Sequence, residues 1–122
     1  MRTHLDLKEA RTYIQRTVSQ TRYDCKPHRR GLEFNIDVDY ILDLYQRQQG
    51  LCALTGWPLE VTRGGSWHGK NPRGLTMDRK DNSGGYTRGN LQLVGALANS
   101  TRSDMPLRDF IRMCRDIAGH SA

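Results

Sequence analysis

The chain reads as a small α+β domain, and three observations carry that reading. At 122 residues it suits one domain with a modest core. Apolar residues recur at helical spacing near both ends, and two short strand-like runs separated by a Gly-rich turn lie between them. Only 36% of the residues are hydrophobic, which predicts a thin core and long polar loops.

The elements follow in order. Leu5, Leu7, Ala10, Tyr13, Ile14 and Val18 predict a first helix from about Leu5 to Gln20. Pro27 falls in a basic stretch, Lys26 to Gly31, with the composition of a flexible connector. Asp37 is placed to cap a second helix whose apolar side is Tyr40, Ile41, Leu44 and Tyr45, and Gly50 ends it. Leu51 to Leu59 reads as a short hairpin around Thr55-Gly56-Trp57-Pro58. Glu60 to Arg73 is a long polar loop of the kind that in compact domains is often functional, with Trp67 and His68 at its tip. Leu75 to Arg79 is a first strand, and Asn82-Ser83-Gly84-Gly85 supplies turn residues tolerant of positive φ. Asn90 to Val94 is a second strand, and Gly95 to Ala98 leads into a helical turn ending at Asn99. Ser103 or Asp104 caps a final helix that opens at Pro106 and buries Leu107, Phe110, Ile111 and Cys114.

The chemistry concentrates between Leu75 and Asn99. Asp78, Asn90 and Asn99 stand in order along the strand, turn, strand and helix. Each has an ordinary reading by itself: Asp78 as a turn cap, Asn90 as a turn residue after Gly89, Asn99 as a helix end. Together they offer one carboxylate and one amide oxygen, donors suited to Mg²⁺, which keeps several waters beside its few protein ligands. The segment resembles the ββα-metal core of the HNH endonucleases, whose pattern is Asp-His, a Gly-rich loop, Asn-Leu and a closing Asn on the helix. Cys52-Ala53-Leu54-Thr55-Gly56 and Phe110-Ile111-Arg112-Met113-Cys114 extend the resemblance to a phage-type subgroup with Asp-Arg in place of Asp-His. It covers roughly Asp37 to Ile117. The resemblance implies a small ββα-metal core with flanking helices, and one Mg²⁺ or Mn²⁺ ion held by Asp78 and Asn99. It also implies that Asn90 ties the loop to the core, and that the chain hydrolyses phosphodiester bonds in double-stranded DNA. A monomer would nick, and a homodimer would cut both strands. The expected organisation is a basic helix and linker over residues 1–36, serving as a nucleic-acid arm, followed by an HNH-like nuclease domain over 37–122.

One departure bears directly on catalysis. The family's general base is the His after the Asp, and Arg79 stands there. Arginine stays protonated, so it cannot take a proton from water, although its fork of donors suits a scissile phosphate. Two candidates for the base remain open, His68 in the preceding loop and Asp81. In the related Asp-Arg-Gly-His nucleases the base stands where Asp81 falls. The alternative is a catalytically degenerate DNA-binding module that keeps an HNH-like core.

Charge favours a nucleic-acid partner. The net charge is +6, and residues 1–30 carry eight Lys or Arg against three Asp or Glu, while residues 31–122 carry eleven against ten. Lys8, Arg11, Arg16, Arg22, Lys26, Arg29 and Arg30 are the candidate phosphate contacts. The ordinary reading is a solvated basic helix face. Cys25, Cys52 and Cys114 form no Cys-x-x-Cys pair. Against the zinc knuckles of many HNH proteins, Cys52 remains, but Thr55, Gly95 and Ala98 stand at the other three positions, so no structural zinc is expected. Cys52 and Cys114 are expected as small buried hydrophobes in a reducing cytoplasm, the host's if the chain is phage-encoded. Without a signal peptide or long apolar run, no membrane association is expected.

Overall fold

The computed structural model describes residues 5–62 and 71–121. Among them are four helices and two strands: α1 (Leu7–Asp24), α2 (Val38–Arg47), β1 (Leu75–Arg79), β2 (Leu91–Gly95), α3 (Ala96–Arg102) and α4 (Leu107–Ser121). The α+β class is observed. His68 lies outside the described residues.

Local chemistry explains most of the boundaries. Asp6 caps α1 by accepting from the Glu9 N–H, and Asp37 caps α2 by accepting from the Tyr40 N–H. With that start α1 runs to Asp24, four residues beyond the expected end. Gly50 closes the α2 exit at φ +71, and a Cβ there would press on Leu5 at 2.7 Å.

β1 and β2 pair antiparallel, with Leu75 opposite Gly95 and Arg79 opposite Leu91. Leu75, Met77, Leu91 and Leu93 join Ala10, Ile14 and Val18 of α1 and Ile41 and Tyr45 of α2 in one buried cluster. Tyr13 adds a hydrogen bond from its hydroxyl to the Leu75 carbonyl at 2.7 Å. The core therefore runs across the boundary drawn at residue 36.

Four expectations need correcting. The stretch from Lys26 to Gly31 is no open connector. The N–H groups of Arg29 and Gly31 both donate to the Lys26 carbonyl, and that of Arg30 to Asp24, which folds it into compact turns. Gly84 and Gly85 are not needed for positive φ. Gly85 serves close approach, since a Cβ there would run into the Glu33 carbonyl oxygen. Asn99 does not end a helix; α3 continues to Arg102 and stops at Ser103, whose φ is +52. The last helix forms where expected, but only Phe110 of its four predicted core residues is buried, while Ile111 and Cys114 are exposed. Periodicity marks an apolar side without supplying the surface that covers it.

Candidate functional site

Successive side chains leave a strand on opposite faces. Leu75 and Met77 enter the core, which turns Thr76 and Asp78 toward α3. Two α3 residues three apart meet them, as neighbours on one helix face do. The Asn99 Nδ2 donates to the Thr76 hydroxyl at 3.2 Å. The Arg102 Nη1 lies 2.7 Å from both carboxylate oxygens of Asp78. From the opposite strand position, Gln92 donates through Nε2 to Asp78 Oδ2 at 2.9 Å. Asp78 is 3% exposed and Arg102 1%, so the two form a buried ion pair.

Arg102 spends all its nitrogens inside the chain. Nη1 also donates to the Arg79 carbonyl at 2.9 Å, Nη2 to the Lys80 carbonyl at 3.0 Å and Nε to the Met105 carbonyl at 3.0 Å. A guanidinium with its fork of donors can join several backbone segments in this way, and an ammonium cannot hold the same geometry.

The hairpin loop is organised by two further side chains. The Asn90 Oδ1 accepts from the Asp81 N–H at 3.0 Å, while its Nδ2 donates to the carbonyls of Asp81 and Gly85 at 3.2 and 2.9 Å. Arg79 folds back over the same loop, where its Nη1 donates to the carbonyls of Asn82 and Gly84, both at 2.9 Å. Its Nε and Nη2 have no hydrogen-bond partner among the described residues. Asp81 is fully exposed. Hydrogen bonds from the Ser83 hydroxyl and N–H stabilise its carboxylate and hold its pKa below the usual range, which makes it a weaker base.

The seven basic candidates are all exposed. Arg11 pairs with Asp39 at 2.9 Å and Arg29 with Asp24 at 3.3 Å. Lys8 and Arg16 line a cleft of about 780 Å³ between α1 and β1. Arg22, Lys26, Arg30 and also Arg29 gather around aromatic rings. Arg29 and Lys26 lie 4.6 and 5.5 Å from the centre of the Tyr23 ring, and Arg22 lies 5.2 Å from that of Phe34. Arg30 donates to the Tyr86 hydroxyl at 3.3 Å, and Arg79 lies 5.5 Å from the same ring centre. Exposed basic side chains thus cluster at the end of α1, and Arg30 and Arg79 meet at the buried Tyr86 beside the hairpin loop.

The sequence reading missed Arg102, Gln92, Tyr23 and Tyr86. For Arg102 and Gln92 a signal was available: Arg102 follows Asn99 by three on a helix, and Gln92 interrupts an apolar strand opposite Asp78.

The implied metals can be tested against these residues. Mg²⁺ needs oxygens that face room for its retained waters. Three of the roughly four acceptor positions on Asp78 are already filled, two of them by a buried cation. The Asp78–Asn99 pair does not fit a divalent ion in this arrangement. Among the described residues no three His, Cys, Asp or Glu side chains form a ligand group. The four knuckle positions, Cys52, Thr55, Gly95 and Ala98, do line one small cavity of about 10 Å³. Cys52 is the single metal-ligand type among them. Its Sγ accepts from the N–H groups of Thr55 and Gly95 at 3.5 and 3.4 Å. Burial pushes this thiol up, but hydrogen bonds from Thr55, Gly95 and Leu54 outweigh that and leave its pKa lowered.

Comparison with known proteins gives a phage relative. The chain is 33% identical over 98 residues to an uncharacterized 29.0 kDa protein of Enterobacteria phage T4 from the dda-modA intergenic region. The match takes in 80% of this chain, which spans about a third (35%) of the T4 protein. A stretch of 47 residues, 38% of this chain, is 43% identical to 9% of the glucose-6-phosphate exchanger SLC37A2 of Xenopus laevis. Among the described residues, no helix is long and apolar enough to cross a membrane. No family model and no solved structure matches.

Proposed function

We propose that this chain is a DNA-binding domain built on a nuclease-like ββα unit whose hydrolytic centre is closed. The observation that carries the reading is where the positive charge sits. Arg102 is locked against Asp78 in the interior, while Arg22, Lys26, Arg29 and Arg30 face solvent on a rim at the end of α1, and Arg30 and the half-buried Arg79 both reach the buried Tyr86 beneath them. Between residues 22 and 30 Asp24 is the one acidic side chain. Such a rim suits the phosphate backbone of double-stranded DNA, with affinity that falls steeply as salt rises. The T4 relative supports a phage-infected host cytoplasm as the setting.

A second reading is favoured by Asn99. Its Oδ1 has no hydrogen-bond partner among the described residues, and it lies over the strand face that carries Asp78. This is the HNH-type endonuclease that the family resemblance implies, with Asp78 and Asn99 holding Mg²⁺ or Mn²⁺. It requires Arg102 to leave Asp78.

One experiment separates the two. Binding to duplex DNA is followed across a salt series, and plasmid nicking is assayed with Mg²⁺, Mn²⁺ or EDTA in wild type, Asp78→Ala and Asn99→Ala. Salt-sensitive binding without nicking is the expected result. Metal-dependent nicking lost in both variants would establish the nuclease, and neither binding nor nicking would remove both readings.

A further inference from the structure

We infer that the Arg102 guanidinium is the built-in cation of the ββα unit, standing at Asp78 where a divalent ion would otherwise sit. The surroundings of this group resemble a metal shell in their donor types. Arg102 collects the Asp78 carboxylate and the carbonyl oxygens of Arg79, Lys80 and Met105, all within 3.0 Å of its nitrogens. Carboxylates and backbone carbonyls are also the ligands that hard divalent cations take. Here they close around a planar cation covalently tied to α3.

The same contacts give this cation a structural task. They join the end of β1, the first residue of the hairpin loop and the turn between α3 and α4. The carboxylate needs a counter-charge, because an unpaired ion away from water is costly. Arg102 supplies that charge. It is 1% exposed and has every nitrogen engaged, so a second cation at Asp78 would meet a like charge with no free path away from it. The ββα unit therefore folds and holds its loop with no metal at this carboxylate. This inference rests on the closed-site part of the proposed function and is independent of whether the chain binds DNA.

The test is Mn²⁺ titrated into the isotope-labelled full chain, followed by paramagnetic broadening of the side-chain amide signals of Gln92 and Asn99. Those amides adjoin the Asp78 cluster and report an ion there directly. In wild type the two signals keep their widths relative to the other side-chain amides, and thermal melts in EDTA, Mg²⁺ and Mn²⁺ coincide. Selective loss of the two signals at substoichiometric Mn²⁺ overturns the inference. Arg102→Met removes the built-in cation and is expected to gain that broadening. If Arg102→Met does not fold, the wild-type titration still decides. DNA binding is measured separately, so its failure would count against the proposed function and leave this result standing.

Discussion

The underside of α3 and the rim at the end of α1 both depend on arginine, and they use it in opposite ways. Arg102 is 1% exposed and makes its contacts within the chain. Arg22, Arg29 and Arg30 are exposed, with their guanidinium groups near the rings of Phe34, Tyr23 and Tyr86. Burial decides what each can do. A charge removed from water must be matched by its own chain and becomes structure, whereas a charge at the surface stays available to a partner.

The contrast breaks first at Arg102. Arg102→Ala leaves a buried carboxylate without its counter-charge, with Gln92 as its remaining donor, and strips three carbonyl groups of the Arg102 donor; it should destabilise the fold by about 3–5 kcal/mol. Asp78→Asn should cost less, because Arg102 keeps its bonds to the three carbonyls. Urea unfolding of both variants checks the order. Equal losses would mean that the carboxylate alone matters.

Next comes the boundary between arm and domain. Ile14 is 0% exposed within the common core, so Ile14→Ala should cost about 2–5 kcal/mol in the same assay. A first helix that acted only as a detachable arm would show almost no loss.

The rim sharpens the contrast from the other side. Replacing Arg22, Lys26, Arg29 and Arg30 by Gln should shift stability by no more than about 0.5 kcal/mol per site. DNA affinity should fall, and the slope of log affinity against log salt should flatten by about 0.9 for each phosphate that is no longer neutralised. An unchanged slope would take the rim out of the DNA interface.

The smallest effect concerns alkaline pH. Burial, followed by the nearby Glu9 and Asp6 charges, pushes the Tyr45 phenol above its ordinary value of 10.0. The folded state thus holds this proton more tightly than the unfolded chain. The associated stability is fully present below pH 10 and is lost as pH rises through the folded-state value. Stability curves for wild type and Tyr45→Phe should therefore diverge only above about pH 10. Curves that run parallel through that range would remove the effect.

Periodicity and caps made much of the fold legible. The starts of α1 and α2, the two strands and the existence of a last helix follow from residues a few positions apart. Asn90 was legible for a related reason, since its three hydrogen bonds reach no farther than Asp81 and Gly85. Arg79 shows the limit of this. Its identity suggests a phosphate ligand, but the carbonyls it meets depend on how the loop closes.

What the sequence determined by itself is the α+β class, the order of elements and the spacing of Asp78, Asn90 and Asn99, because propensity, capping and alternation act over a few residues. The tertiary structure alone decided that Arg102 would neutralise Asp78, 24 positions away, and that α1 would be core as well as carrier of the basic rim. It also left Ile111, Met113 and Ile117 of α4 exposed while burying Phe110. Those outcomes depend on which surfaces meet once helices pack on the hairpin, and the residue types do not encode that meeting one by one. The physical reason is that burial sets the energy of a charge or an apolar face, and burial belongs to the assembled fold.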